Sequence, residues 1–367
     1  MATEIKKGLK LVMAGGGTGG HLFPAIAIAG ELKRRDPATE ITFIGGRGGI
    51  EEKIVPKYGY RLLLLSVEGV KRKRGIGRAR AVAKAAAATL GAAGMLRSLR
   101  PDGVIGSGSY SSAPVVAAAR LLGIKTAILE QNALPGLTNR VLGKVVNRIY
   151  ASFEEATAYF PDGRTTLAGN PVREEIVAEA AKKRKRGEKF SILVFGGSQG
   201  ARAINAAFLD SAEYLTDIWG GLRVVHQTGV EGFEAVKASY GRKGLRVEAL
   251  MFIDDMAKAY GSADLVVCRA GATTIAELAV MGLASILIPY PFAADDHQTV
   301  NARCLADRGA AVLMEQDRLT GSALAGVIRT LYGDRALLDS MGEKARSAGR
   351  PGAAGAIIDD FMKVISS

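Results

Sequence analysis

Along the whole chain, short apolar runs alternate with longer segments in which apolar residues recur three and four positions apart. The runs predict strands near Leu9 to Ala14, Ile41 to Ile44, Leu62 to Val67, Val104 to Ile105, Thr126 to Leu129 and Arg148 to Ala151. Six more follow near Ser191 to Phe195, Arg223 to Gln227, Val247 to Leu250, Leu265 to Cys268, Ser285 to Pro289 and Ala311 to Met314. The segments between them are alanine-rich with helical spacing. Strand and helix in alternation predict repeated βαβ units and parallel sheets, the α/β class.

Two stretches repeat each other. LKLVMAGGGTGGHLFPAIAIAGEL and FSILVFGGSQGARAINAAFL are each an apolar strand, a glycine loop and a helix, and they align at an offset of 180 residues, with Gly16 on Gly196, Thr18 on Ser198 and Gly20 on Gly200. Each opens a doubly wound unit, so the chain is expected to hold two Rossmann-like domains in tandem. Turn residues at Gly169-Asn170-Pro171 place the join, giving domains 1–167 and 168–350 and a terminal helix at 351–367. In that helix Ile357, Ile358, Phe361, Met362 and Ile365 share one face, which must cover either its own domain or the first one.

Composition sharpens this picture. The 46 glycines in 367 residues are well above the usual share of roughly 7 %, and without a three-residue period they mean tight turns rather than collagen. The net charge of +13 is unevenly spread: residues 1–167 carry 25 basic and 12 acidic side chains, residues 168–367 carry 24 of each. A surplus confined to one half implies an anionic partner there, whether nucleic acid, a phosphorylated substrate or a membrane surface. Its densest run is Lys71, Arg72, Lys73, Arg74, Arg78, Arg80 and Lys84. Two cysteines, Cys268 and Cys304, make neither a disulfide framework nor a zinc pattern and point to a reducing compartment. The N-terminus does not read as a secretory signal and no uncharged stretch suits a bilayer span, which predicts a soluble or peripheral protein.

The candidate chemistry lies in the loops after strands. Gly15-Gly16-Gly17-Thr18-Gly19-Gly20 leads into a helix, where backbone amides form a phosphate site. The spacing also satisfies the dinucleotide fingerprint, but the second strand ends at Gly45-Gly46-Arg47 without an acidic residue for a ribose, which disfavours NAD more than NADP. His21 follows directly, as a general base or as a helix-capping or phosphate-donating side chain. Of the other two histidines, His226 ends a strand and reads as structural, and His297 belongs to a polar loop. Gly196 to Gly200 repeats the device with Ser198 at its centre, and Arg269 to Glu277 places small residues at another helix N-terminus. Glu277, a turn inside, supports the helix dipole or accepts hydrogen bonds from a ribose diol. There is no Asp-x-Asp, so no metal ligand set and no required cofactor are predicted.

Together AGGGTGGHLFPAIAIA, GSGSYSSAP, EQNALPGLTNR, AGNPVR, FGGSQGARAIN, FIDDMAKAY and CRAGATTIAELAVMGLASILIPYPFAADDHQTVNA resemble the MurG family, in register over nearly the whole chain. The family moves N-acetylglucosamine from UDP-N-acetylglucosamine to an undecaprenyl-pyrophosphoryl-muramoyl-pentapeptide. The resemblance implies the glycosyltransferase B fold, with the donor held mainly by the second domain and the lipid acceptor by the first. It assigns donor contacts to Thr18, Gly19, Gly20, Asn132, Arg173, Ser198, Ile253, Ala272, Thr273, Thr274, Ile275, Ala276, Glu277 and Gln298. Ile253 would read the uracil, Glu277 the ribose, Ser198 and Arg173 phosphate, and Asn132 and Gln298 the sugar. Acceptor contacts fall to Gly16, Gly17, Gly108, Ser109 and Tyr110, and the base to His21. Two departures are Leu129, where the family usually has His, and Ser109, where it usually has Gly. The basic run then implies a peripheral protein on the anionic cytoplasmic face of the inner membrane, among other cell-wall synthesis proteins, and nucleic acid drops out. The rival readings are a UDP-N-acetylglucosamine 2-epimerase, a non-catalytic sugar-nucleotide-binding membrane protein and an NADP oxidoreductase.

Overall fold

A computed structural model describes residues 8–66, 76–183, 187–197 and 200–367, without the side chains of 76–82. Lys71 to Arg74, the side chains of Arg78 and Arg80, and Ser198 therefore lie outside the described residues. In chain order the first elements are β1 (Lys10–Ala14), α1 (Gly19–Arg35), β2 (Glu40–Gly46), α2 (Glu51–Ile54), β3 (Arg61–Leu65), α3 (Ile76–Leu99), β4 (Gly103–Gly106), α4 (Ser112–Leu121), β5 (Lys125–Glu130), α5 (Leu137–Leu142), β6 (Arg148–Ala151), α6 (Glu154–Thr157) and β7 (Thr165–Leu167). The series continues with α7 (Glu174–Ala180), β8 (Phe190–Phe195), α8 (Arg202–Ser211), β9 (Leu222–Gln227), α9 (Phe233–Arg242), β10 (Glu248–Leu250), α10 (Met256–Ser262), β11 (Leu265–Cys268) and α11 (Ala272–Met281). It ends with β12 (Ala284–Leu287), α12 (His297–Ala306), β13 (Ala311–Leu313), α13 (Gly321–Gly333), α14 (Arg335–Ala348) and α15 (Ala353–Ser366).

All strand pairs are parallel. One sheet runs β3-β2-β1-β4-β5-β6-β7 and the other β10-β9-β8-β11-β12-β13. The repeated strands β1 and β8 hold the equivalent place, where the order reverses, the position at which open parallel sheets bind their ligands. β7 is the strand that the hydrophobic pattern does not announce, because a three-residue edge strand with two threonines has no apolar run.

The chain divides into two compact units, 1–174 with 350–367, and 175–349. Residues 168–174 stay with the first unit, since Ala168 joins its core and Arg173 stacks over Phe23 of α1 at 4.4 Å. The first sheet is covered on both faces. Leu11, Met13, Phe43 and Ile105 pack against α1 and α15, while Val12, Ala14, Val104 and Ile128 pack against α3 and α4. α15 supplies Ile357, Ile358, Phe361 and Met362 to the first of these layers. A Cβ at Gly103 would come within 2.8 Å of the Phe361 ring, so glycine there lets the helix seat on β4. Arg35 pairs with Asp359 at 2.6 Å, and Tyr150 donates to Asp360 at 2.9 Å. Burial and that carboxylate push the Tyr150 hydroxyl well up, so it remains a donor.

The second unit hides a polar chain beneath its glycine loop. His226 of β9 is fully buried; Tyr240 donates to its Nδ1 at 2.7 Å and its Nε2 donates to Asn205 Oδ1 at 3.1 Å. Asn205 in turn donates to the Thr228 carbonyl, the atom a Cβ at Gly200 would strike at 2.1 Å. Burial lowers His226 to about 4 from its ordinary 6.5, so the fold holds it neutral. The neutral ring's contribution is complete above about pH 6.5 and is lost as pH falls toward 4, at most about 3 kcal/mol. Urea midpoints at pH 7 and pH 4.5 should therefore separate more for the natural protein than for His226→Gln; equal separations would reject the assignment.

Candidate active site

At the first switch point β1 ends at Ala14 and Gly15, Gly16 and Gly17 follow with φ of 148°, 152° and 82°. A Cβ at Gly15 would lie 1.9 Å from Ser107 Oγ, so the loop closes against the end of β4 only because glycine stands there. Thr18 is the N-cap of α1 and His21 sits in its first turn. The ring is anchored through Nδ1, which lies 2.7 Å from the Ser107 carbonyl and 3.2 Å from Gln131 Oε1. The Gln131 amide is itself oriented, because its NH2 donates to the same carbonyl at 3.1 Å. Both neighbours of Nδ1 are acceptors, which puts the proton on Nδ1 and the ring lone pair on Nε2. In the tautomer so selected, Nε2 is the basic atom of the ring.

The loops after β4 and β5 complete this edge. Ser109 turns its hydroxyl inward, accepting from the Gly16 N–H at 3.2 Å and meeting Ser111 Oγ at 2.9 Å. Gly108 (φ 86°) passes so close to Asn139 that a Cβ would come within 2.6 Å of its amide. Tyr110 is mostly exposed. Leu129 is absorbed into the apolar core, while its carbonyl accepts from Asn139. Glu130, at the end of β5, is buried and accepts from the Asn132 and Gly136 amides and from Asn139 Nδ2, at 2.9, 3.2 and 2.9 Å. Burial pushes its carboxyl up while these bonds hold it down. Sequence reasoning passed over Glu130, Gln131 and Asn139 as individual residues, although EQNALPGLTNR contains all three. The signal was available in the spacing, which folds one loop back on one carboxylate.

The second unit repeats the arrangement at the carboxyl edge of its own sheet. Gly196 and Gly197 follow β8, and Ile253 is buried in the segment after β10, just ahead of the α10 cap formed by Asp255 on the Lys258 amide. Ala272 to Glu277 open α11 behind Gly271. Glu277 is buried and accepts from the Tyr260 hydroxyl at 3.0 Å. Burial and this carboxylate push the Cys268 thiol up, so Cys268 is an inert core side chain. Arg269 donates to the Ile288 and Pro289 carbonyls and to Gln316, bracing the start of the loop that leads into α12, where Gln298 Oε1 accepts from the Tyr290 amide at 2.9 Å. The proposed contacts thus fall into two groups: residues 16–21, 108–110, 132 and 173 on the first unit, and 253, 272–277 and 298 on the second. Among the described residues no three His, Cys, Asp or Glu side chains cluster as a metal-binding group.

The glycosyltransferase family 28 N-terminal domain matches residues 11–151 and the family 28 C-terminal domain matches residues 191–356. A Myxococcus xanthus protein, the UDP-N-acetylglucosamine–N-acetylmuramyl-(pentapeptide) pyrophosphoryl-undecaprenol N-acetylglucosamine transferase, is 48 % identical over 351 residues, 96 % of this chain and 92 % of that one. The chain belongs to the MurG family. The crystal structure of Acinetobacter baumannii MurG agrees, with a TM-score of 0.76 at 34 % identity over 97 % of this chain and 99 % of that one. The two sheets of this MurG-family chain are accordingly the paired Rossmann-like domains of the glycosyltransferase B fold. A Listeria monocytogenes protein described as a putative UDP-N-acetylglucosamine 2-epimerase superimposes with a TM-score of 0.71 over 98 % of this chain and 97 % of that one. At 12 % identity it shares the fold alone.

Proposed function

We propose that this enzyme transfers N-acetylglucosamine from UDP-N-acetylglucosamine to the 4-hydroxyl of undecaprenyl-pyrophosphoryl-N-acetylmuramoyl-pentapeptide, with inversion at the anomeric carbon. The observation that carries the mechanism is the His21 tautomer, set by Ser107 and Gln131. Nε2 takes the acceptor's hydroxyl proton as the new O4–C1 bond forms and the bond from C1 to the UDP phosphate breaks. The departing charge is met by Arg173, Ser198 and the amides opening α11, so the reaction requires no metal. Ile253 reads the uracil, Glu277 the ribose, Asn132 and Gln298 the sugar, and Thr18, Gly19 and Gly20 complete the donor site. The acceptor lies on the first unit, against the loops of Gly16, Gly17, Gly108, Ser109 and Tyr110. UDP release followed with a short-chain lipid acceptor analogue in detergent tests the reading: release must depend on the acceptor, and acceptor-independent or absent release rejects it.

The acceptor is membrane-borne, and the first unit has a face that suits a bilayer. α4 packs against both α3 and α5. Along these helices and the turn after α5, Leu90, Leu121, Leu137, Val141 and Val145 are exposed, and Arg120, Arg140 and Lys144 belong to the same segments. No described helix is long and apolar enough to cross a membrane. This face seats peripherally on the anionic cytoplasmic surface, each basic side chain adding about 1 kcal/mol, with other cell-wall synthesis proteins beside it. Leu121→Glu combined with Val141→Glu should abolish sedimentation with anionic vesicles while leaving the melting temperature unchanged. Binding that ignores the double substitution, high salt or lipid charge would refute this seat.

A further inference from the structure

Glu51 is a buried carboxylate to which the reaction just described gives no part. It opens α2, is 1 % exposed, and accepts from the Gly17 amide at 2.8 Å and the Gly46 amide at 2.9 Å. Its side chain fills the volume three glycines leave open: a Cβ would come within 2.3 Å of its carboxyl at Gly16, 2.6 Å of its Cγ at Gly45 and 2.1 Å of its Oε2 at Gly49. A glycine loop of this kind ordinarily turns its amides toward an external anion. Here the amides of Gly16 and Gly17 are turned into the protein, onto Ser109 and Glu51, so the chain supplies its own anion beneath the loop.

We infer that Glu51 is a positioning residue for the acceptor half of the reaction, an inference that rests on the transferase reading above. Its carboxylate holds Gly15 to Gly17 in their positive-φ path, and that path places the Thr18 cap and, one turn on, the His21 ring against Ser107. Neither Glu51 nor Gly49 touches the reacting groups. Both act through the loop.

The sign of one substitution separates this role from a bystander charge. Glu51→Gln removes a negative charge close to where the acceptor pyrophosphate lies, which by itself would tighten the acceptor. It also turns an NH2 against an N–H donor, freeing the loop. The expected result is a kcat lower by tenfold or more and a raised acceptor KM, with UDP-N-acetylglucosamine affinity, measured by calorimetry without acceptor, within twofold of the natural enzyme. Gly49→Ala, whose added methyl meets the carboxylate, should reproduce these changes, and in a Glu51→Ala background it should add nothing further. A folded Glu51→Gln enzyme with normal or tighter acceptor KM and normal kcat overturns the inference, as does strict additivity of the Gly49 and Glu51 changes. Absence of acceptor-dependent release in the natural enzyme rejects the transferase reading instead. The inference is then decided by the imidazole 15N spectrum, where Glu51→Gln should disturb the Nδ1–H signature of His21 and an unchanged signature overturns it.

Discussion

His21→Ala should lower kcat by about 10²–10⁴-fold, the range a positioned general base supplies, while UDP-N-acetylglucosamine binds as before. The separation is expected because Ser107 and Gln131, which hold Nδ1, belong to the first unit, whereas Ile253, Glu277 and Gln298 belong to the second. Gln131→Leu keeps His21 but removes the side chain that faces Nδ1, so it should cost less than deleting the ring. His21→Asn offers an amide where the lone pair stood and should be as slow as alanine. Single-turnover rates with saturating donor, beside calorimetric donor affinity, check the set. A His21→Ala enzyme within tenfold of normal turnover removes the base role and leaves His21 as a structural side chain.

The second large effect concerns the donor. Glu277→Ala should weaken both UDP and UDP-N-acetylglucosamine by about 10²-fold, because two hydrogen bonds from a ribose diol to a charged acceptor are together worth about 3 kcal/mol. The carboxylate is buried and anchored by the Tyr260 hydroxyl at 3.0 Å, so it is preorganised for such a ligand. Glu277→Gln retains one acceptor and should fall between. The effect must be equal for UDP and the sugar nucleotide, since the ribose belongs to both. If Glu277 serves only the α11 dipole, its removal costs stability of about 0.3–1 kcal/mol and leaves UDP affinity untouched. Calorimetric titration with each ligand distinguishes the two.

What could be read beforehand follows from how each residue is surrounded. Strands such as Leu265–Cys268 are buried throughout and show as unbroken apolar runs, whereas Thr165–Leu167 pairs along one edge and shows nothing. The glycine loops were visible because φ near 150° at Gly15 and Gly16 admits little else. Glu51 was invisible for the opposite reason. In GGIEEKIV it looks like half of an acidic pair at a helix start, and only the fold shows that it lies beneath the glycine loop while the Glu52 carboxylate caps the Gly48 amide at the surface. The neighbours of His21 Nδ1 were not legible for a similar reason, because a carbonyl just after β4 and a side-chain amide just after β5 meet there through sheet order rather than sequence proximity.

Because α15 belongs to the first unit, that unit is written in the gene as two pieces with the whole of the second unit between them. While the ribosome makes residues 175–349, the face of the first sheet that awaits Ile357, Phe361 and Met362 has α1 over it but lacks α15. The first domain to emerge is therefore the last to be completed, and during synthesis its bare layer is a site for a chaperone or for aggregation. A frameshift, a protease cut or a bulky fusion near residue 350 would injure the sheet on which α1 and its His21 are seated, far away along the chain, before it harmed the neighbouring helices of the second unit.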